Sequence, residues 1–403
     1  MRILQLTYDY PPTAFYGMGI HVAGLTRGLR RLGHEVAVAT RNNVGLPVDG
    51  LDEAGARVIR CEGTWDRDHL QVPSNPGKHF RSIQAQIDLC EQLLDAVLRT
   101  LAPMDLIHNH SYATAAVACE LSARWQVPLL STVHVLDASN ERMGVSRRPW
   151  LGRHVLRGLE GEGLKRSRAI VVPSATIGMW LESEYPICRG RIFVLAHPNE
   201  AVVPTKNDYS ARCPFTLLYV GRLEAGKGIV RLFEALAMLP KGVFRCVVVG
   251  EGRLDRQLKE QAAASGLDVE WLGHVSHDVV VALYRESDAF VCPSLVETYG
   301  MAAQEALQAG VPVIATDIEV FRERIQDGVN GVLIPRVPRG SELDVDVSAL
   351  CRALSRLASD EALRRSLGLK AVVQSAKFSS YQEYAADLLG LVAGGQTSSS
   401  EAT

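Results

Sequence analysis

The chain has no Cys-x-x-Cys pair; its eight cysteines, at 61, 90, 119, 188, 213, 246, 292 and 351, are scattered. Without paired spacing they define neither a zinc site nor a disulfide framework. Cys246 and Cys292 lie in apolar runs, where cysteine acts as a small hydrophobe, and the pattern suits a reducing cytoplasm. No apolar run approaches the roughly 20 residues of a membrane-spanning helix. Neither charge sign dominates, since the formal net charge is -2, so no bulk attraction to nucleic acid or to an acidic partner is expected. Lysine is scarce beside arginine. A Walker loop, Gly-x4-Gly-Lys-Ser/Thr, is missing, as is any carboxylate cluster at metal-ligand spacing. The first strand begins at Arg2, so no signal peptide is expected.

What is present is alternation. At 403 residues the chain exceeds what one core usually supports, so two domains are expected. Short continuous apolar runs at 3–7, 35–40, 57–61, 106–110, 128–134, 169–174 and 192–196 alternate with segments of helical spacing, 21–32 and 83–101 among them. The pattern restarts at 215–220, 244–250, 269–273, 289–294, 312–316 and 331–335. Such runs predict α/β architecture: two doubly wound parallel sheets with both faces covered, and a cleft between the domains. The proline-rich stretch 197–214 reads as the linker, 344–369 as one or two surface helices and 381–392 as a final amphipathic helix. The expected divisions are 1–198, 199–377, a return helix at 378–393 and a disordered tail at 394–403.

The segment from Pro293 to Ala306 carries the most chemistry. An apolar strand turns through Gly300 into a helix beginning at Met301, and Glu297 and Glu305 flank the turn. A helix start after a small-residue turn is an anion site, with free backbone N–H groups and the positive dipole end facing the ligand. Carboxylates beside it repel phosphate but can grip hydroxyls at either end of a ligand with a charged middle. Taken alone, the pair reads as a solvated helix residue, Glu305, and a loop residue, Glu297. In Gly221–Gly228, Arg222 and Lys227 place two cations on a glycine-bracketed turn, which is either a phosphate clamp or a basic solvated turn.

Gly17 and Gly19 follow the first strand before a helix. They fit a dinucleotide fingerprint poorly: the loop is about ten residues, Val22 replaces the third glycine, and Arg41 rather than an acid ends the second strand. They suit close backbone approach to a phosphate or sugar, or a plain loop. His108, His110 and His134 end two strands, either as a polar site, with metal as a competing idea, or as hydrogen-bonded loop residues. Eight basic residues between Arg142 and Arg168 form a charged run that Glu141, Glu160 and Glu162 dilute; this favours a solvated face over a surface for anionic acceptors or acidic lipid headgroups.

In order along nearly the whole chain, these pieces resemble the retaining glycosyltransferases of family 4, with the GT-B architecture. The matching residues are Gly17-Met18-Gly19, Leu32-Gly33-His34-Glu35-Val36, Ser131-Thr132-Val133-His134, Gly221-Arg222-Leu223 with Lys227-Gly228, Val249-Gly250-Glu251-Gly252, Trp271-Leu272-Gly273-His274-Val275, and Pro293-Ser294 leading through Glu297 and Glu305 to Gly310-Val311-Pro312-Val313. The resemblance implies a C-terminal domain that binds a nucleotide sugar and an N-terminal domain that binds the acceptor. Arg222 and Lys227 would neutralise the donor diphosphate, with N–H groups at Tyr299, Gly300, Met301, Gly17 and Gly19. Glu305 would hold the ribose, Glu297 the transferred sugar, and Val275 would lie by the base. His134 would sit near the reacting carbon, and the final helix would cross back to the first domain. Tyr299 where the family has Phe, Gly226 where an acid is common, and Pro198-Asn199-Glu200 where the family has Pro-Asn-Gly depart from the pattern.

The activity so implied is metal-independent transfer of a hexose, glucose or N-acetylglucosamine in type, from a UDP-linked donor to an acceptor hydroxyl, with retention. The donor is a substrate, and no cofactor is implied. The acceptor is a small molecule or glycan, with Asp9, His110 and Arg142 as candidate contacts in first-domain loops. A nucleotide-sugar epimerase of the same architecture is the first rival and a non-catalytic nucleotide-sugar-binding subunit the second; a dehydrogenase is disfavoured by the poor fingerprint.

Overall fold

A computed structural model describes residues 1–12, 17–42, 45–62, 76–136, 150–198, 205–340, 342–375 and 380–394. The chain divides into two compact units, one of Met1–Glu200 with Ser379–Thr403 and one of Ala201–Phe378.

Unit 1 is built on strands β1 (Arg2–Leu6), β2 (Glu35–Asn42), β3 (Asp49–Leu51), β4 (Arg57–Glu62), β5 (Leu106–Asn109), β6 (Leu129–Thr132), β7 (Ala169–Val172) and β8 (Ile192–Val194). They form one sheet in the order β3-β4-β2-β1-β5-β6-β7-β8. All pairings are parallel except that of the edge strand β3 with β4. Strands β5, β6 and β7 are buried at every residue, as a sheet covered on both faces requires. The helices are α1 (Gly17–Arg31), α2 (Pro76–Thr100), α3 (Ala115–Trp125), α4 (Trp150–Arg166) and α5 (Ala175–Glu184). Leu25 and Leu29 of α1 cover one face, over Ile3, Val36 and Leu106. Leu89 and Leu93 of α2 and Leu121 of α3 cover the other, over Leu4, Leu6 and Ile59.

The C-terminal helix Tyr381–Ala393 starts at a capping box formed by Ser380 and Glu383 and joins the α1 face through Tyr384 and Leu388. Its close approach needs glycine on α1. A Cβ at Gly24 would lie 2.2 Å from the Tyr381 ring, and one at Gly28 would lie 2.3 Å from the Tyr381 carbonyl oxygen.

Unit 2 repeats the plan with β9 (Phe215–Val220), β10 (Phe244–Val249), β11 (Asp268–Gly273), β12 (Ala289–Cys292), β13 (Val313–Thr316) and β14 (Val332–Ile334). The order is β11-β10-β9-β12-β13-β14, all parallel. Its helices are α6 (Ile229–Met238), α7 (Asp255–Ser265), α8 (His277–Glu286), α9 (Met301–Gln308), α10 (Glu319–Arg322), α11 (Val347–Ser359) and α12 (Glu361–Ser375). Strand order reverses between β1 and β5 in unit 1 and between β9 and β12 in unit 2. In doubly wound sheets ligands bind beyond the carboxyl ends of the strands at such reversals.

Several elements differ from the sequence expectations, among them the edge strand β3, which no expected run covered. Helix α1 begins at Gly17, so Gly17 and Gly19 form its first turn rather than a loop before it. Residues 336–345 form the hairpin β15 (Arg336–Arg339) and β16 (Glu342–Val345), where a polar stretch gave no strand signal. The following helices are not surface helices: Leu350, Leu354 and Leu357 of α11 enter the core, and Arg364 of α12 is buried. The period-3.6 stripe on α11 was present, but charged residues between its members masked it.

Candidate functional site

In unit 2 the two loops at the strand-order reversal carry the polar residues. After β9 the chain runs through Gly221 and exposed Arg222 into a 3-10 turn, Ala225–Lys227, before α6. After β12 it runs from Pro293 to Gly300 and enters α9. The loops are tied by Leu295 N–H donating to the Gly226 carbonyl at 3.0 Å. Lys227 Nζ lies 2.5 Å from Glu297 Oε1, and the Ser294 hydroxyl donates to the same oxygen at 3.0 Å. Gly250 lets β10 join this edge, since a Cβ there would lie 2.0 Å from the Gly221 carbonyl oxygen.

Helix α9 opens on Gly300, at φ 79°, with no side chain capping it. The left-handed backbone favours glycine, and a Cβ there would lie 2.6 Å from the Phe321 ring. The first N–H groups of an α-helix lack intrahelical acceptors, so Met301 and its successors present donors and the positive dipole end. Tyr299 is buried, with the Arg324 guanidinium 3.8 Å from its ring centroid, and Arg324 donates to the Tyr299 carbonyl at 3.0 Å. The aromatic ring is thus a support for the turn.

Glu305 is buried, five residues into α9. The Tyr284 hydroxyl donates to its Oε2 at 3.0 Å, and His277 Nε2 lies 3.1 Å from its Oε1. The carboxylate raises the His277 pKa above its usual value, chiefly through that hydrogen bond. Val275 packs at the edge of the apolar cluster beside α9. Sequence reasoning missed His277, Tyr284 and Arg324. The first two are seven residues apart on α8, two helical turns, so one face carries both; that spacing was a usable signal. Nothing local in the sequence pairs Arg324 with Tyr299.

Unit 1 carries histidines instead. His134, after β6, and His110, after β5, are buried, with His110 Nδ1 3.3 Å from His134 Nε2. His134 Nδ1 lies 3.3 Å from His197 Nε2. The ring of His21 on α1 lies tilted against that of His197 with centroids 4.0 Å apart, and His108 lies 3.9 Å from His110 in the same measure. His108 Nε2 is 2.8 Å from the Thr132 hydroxyl. Burial holds His21, His108, His110 and His134 neutral. It lowers His108 and His134 to about 3 and pushes His21 and His110 well below the usual value. Neutral imidazole has one donor and one acceptor nitrogen, so His134 donates through one ring nitrogen and accepts through the other, in either of two concerted directions along His110, His134 and His197. Among the described residues no group of three or more His, Cys, Asp or Glu is arranged to hold a metal ion.

Sequence reasoning missed His21, which shares a helix face with Leu25 and Leu29, and His197, which follows β8; both join the cluster through tertiary folding. Asp9 is buried just beyond β1, where Thr7 bonds its backbone. Gly17 is exposed and Gly19 buried in the first turn of α1. Arg142, and most of the acceptor loops expected around it, lie outside the described residues.

Two doubly wound parallel-sheet units are the GT-B plan, and the family follows from the likeness to known proteins. The model of glycosyltransferase family 4 matches residues 15–198, and that of glycosyl transferases group 1 matches residues 210–371. The chain belongs to glycosyltransferase family 4 and is a glycosyltransferase. It is similar to the glycogen synthase of Mycobacterium tuberculosis, 30% identical over 384 residues, covering 90% of this chain and 87% of that protein. It is also similar to the D-inositol 3-phosphate glycosyltransferase of Xylanimonas cellulosilytica, 28% identical over 404 residues, covering 94% and 91%. Among solved structures, sucrose-phosphate synthase from Thermosynechococcus elongatus superposes with a TM-score of 0.79 at 21% identity, over 98% of each chain. Anabaena HepE, solved with UDP-glucose, superposes with a TM-score of 0.72 at 18% identity, over 97% of this chain and 99% of that one.

Proposed function

We propose that this chain transfers a hexose from UDP-glucose or a related UDP-sugar to a hydroxyl of a sugar or polyol, with retention and without a metal ion. The observation that carries this reading is the Lys227–Glu297 pair beside the uncapped start of α9, with buried Glu305 further along the same helix. The diphosphate lies at the helix start, where N–H donors, Arg222 and Lys227 meet it. Glu305 accepts from ribose hydroxyls and Glu297 from the hexose, as their partners suggest. Unit 1 takes the acceptor, with His134 by the sugar and Asp9 and His110 near the acceptor.

The difficult step is departure of the diphosphate. Cations and helix dipoles stabilise the charge that grows on it in the transition state more than in the ground state, which accelerates the step. They also take the role that a metal would play in neutralising phosphate charge. Glu297 is engaged by Lys227 and Ser294, and Glu305 by Tyr284 and His277. Both carboxylates are therefore committed to binding, which supports a front-face route in which the leaving phosphate takes the acceptor proton. The test is incubation of UDP-glucose and UDP-N-acetylglucosamine with a sugar and polyol panel, with and without EDTA, reading the product anomer by NMR. An α-linked product unaffected by EDTA is expected. A β-linked product, or loss of turnover with EDTA, contradicts the reading, and conversion of donor to an epimer without acceptor supports an epimerase.

A further inference from the structure

Three arginines are buried among the described residues, and they differ in what satisfies them. Arg364 has 2% of its surface exposed and spends its guanidinium on backbone carbonyls: Tyr209 at 2.9 Å, Leu357 at 2.5 Å and Ala358 at 3.2 Å. Arg60 donates to the Pro11 carbonyl at 3.3 Å. Arg41, 6% exposed, has no hydrogen bond or ion pair with any described residue, and its Nε is sealed from solvent without a partner. Among the described residues its guanidinium lies over the face of Tyr8, 5.3 Å from the guanidinium carbon to the ring centroid.

A buried Nε–H without an acceptor among the described residues costs stability, because that donor loses water and gains nothing. Structural arginines escape this as Arg364 does. Arg41 stands near the carboxyl end of β2, beside β1 and so one strand from the strand-order reversal of unit 1. That edge is where a ligand of a parallel sheet binds. An aromatic face beneath a guanidinium holds its plane and leaves the donor fork for an oxyanion.

We propose that Arg41, laid over Tyr8, binds the oxyanion of the acceptor, so that the natural acceptor is a sugar or polyol bearing a phosphate or carboxylate. This rests on the reading that unit 1 takes the acceptor. The donor lies elsewhere, in unit 2, so the two readings can fail separately.

The test uses the full chain as wild type, Arg41→Met and Arg41→Lys, in a buffer free of phosphate. Thermal unfolding is followed with UDP present, to fill the donor site, while inorganic phosphate is titrated. Without phosphate, Arg41→Met should melt at or above the wild-type temperature, because a sealed donor without an acceptor is gone. Phosphate should stabilise the wild type, and the apparent Kd should weaken roughly ten- to hundredfold in Arg41→Met, with Arg41→Lys between them. UDP binding should be equal in all three; a failure of UDP to bind even the wild type would overturn the donor reading and leave the phosphate comparison intact. Transfer is then compared for glucose 6-phosphate, glucuronate and glucose. A wild-type preference for the phosphate or the carboxylate that vanishes in Arg41→Met supports the proposal and says which oxyanion is read. Equal phosphate responses in wild type and Arg41→Met, or a large fall in melting temperature of Arg41→Met without phosphate, overturns it.

Discussion

The two units share a fold plan and differ in how their strand ends are furnished. In unit 2, charges are kept and paired: Lys227 with Glu297, and Glu305 with His277 and Tyr284. In unit 1, His21, His108, His110 and His134 are held neutral by burial. A sheet edge that must meet a diphosphate needs charge in place beforehand, since preorganised cations cost no rearrangement during the reaction. An edge that meets a neutral hydroxyl needs oriented donors and acceptors, which a fixed imidazole chain supplies. The two also differ in their response to acid.

Acidification should break the comparison most strongly. A histidine at 6.5 when unfolded and about 3 when folded contributes stability in full above pH 6.5, and that contribution falls as pH drops toward 3. Each loses about 1.4 kcal/mol per pH unit in that window, so His108 and His134 together cost about 4 kcal/mol by pH 5. Against a total of about 5–15 kcal/mol this is large, and His21 and His110 act in the same direction. Urea unfolding at pH 7.5 and pH 5.0 should show a much lower midpoint at pH 5.0, with amide exchange opening unit 1 first. An unchanged midpoint would mean that the cluster is hydrated.

Removing the paired cation comes next. Lys227→Met should lower kcat/KM on the order of a hundred- to a thousandfold. Because it also strands Glu297, the double variant Lys227→Met with Glu297→Gln is the control. If the double variant recovers wild-type turnover, the cation was serving only its partner. Glu305→Gln should raise donor KM roughly tenfold with a smaller change in kcat, as loss of one charged hydrogen-bond acceptor does; a pure kcat effect would place Glu305 elsewhere in the reaction.

The smallest effect is at His277. Its raised pKa means that the imidazolium supports Glu305 at low pH and that this support is lost as pH rises through a value above 6.5. The donor KM should carry a matching inflection, within about tenfold, that Glu305 retains and His277→Gln removes. An identical profile in the variant would assign the inflection to another group.

Much of this was legible in the residues. Continuous apolar runs placed the strands of both sheets, because strands buried on both faces read that way. Lys227, Gly300, Glu297 and Glu305 were named from a glycine-bracketed turn and a helix start, and the fold places them around one strand-order reversal. The hairpin at 336–345 could not, since its edge strands bury too little to leave an alternation. The five-histidine cluster was only half visible. His108, His110 and His134 end strands, while His21 and His197 join them through tertiary folding. Tyr299 and Arg324 likewise meet only across the folded turn.

The most direct test of the division of labour is calorimetric titration of UDP at pH 7.5 into wild type, Lys227→Met and His134→Gln. Donor binding by the charges of unit 2 predicts at least about tenfold weaker UDP binding in Lys227→Met and wild-type affinity in His134→Gln. Wild-type affinity in Lys227→Met, with loss in His134→Gln, would contradict it.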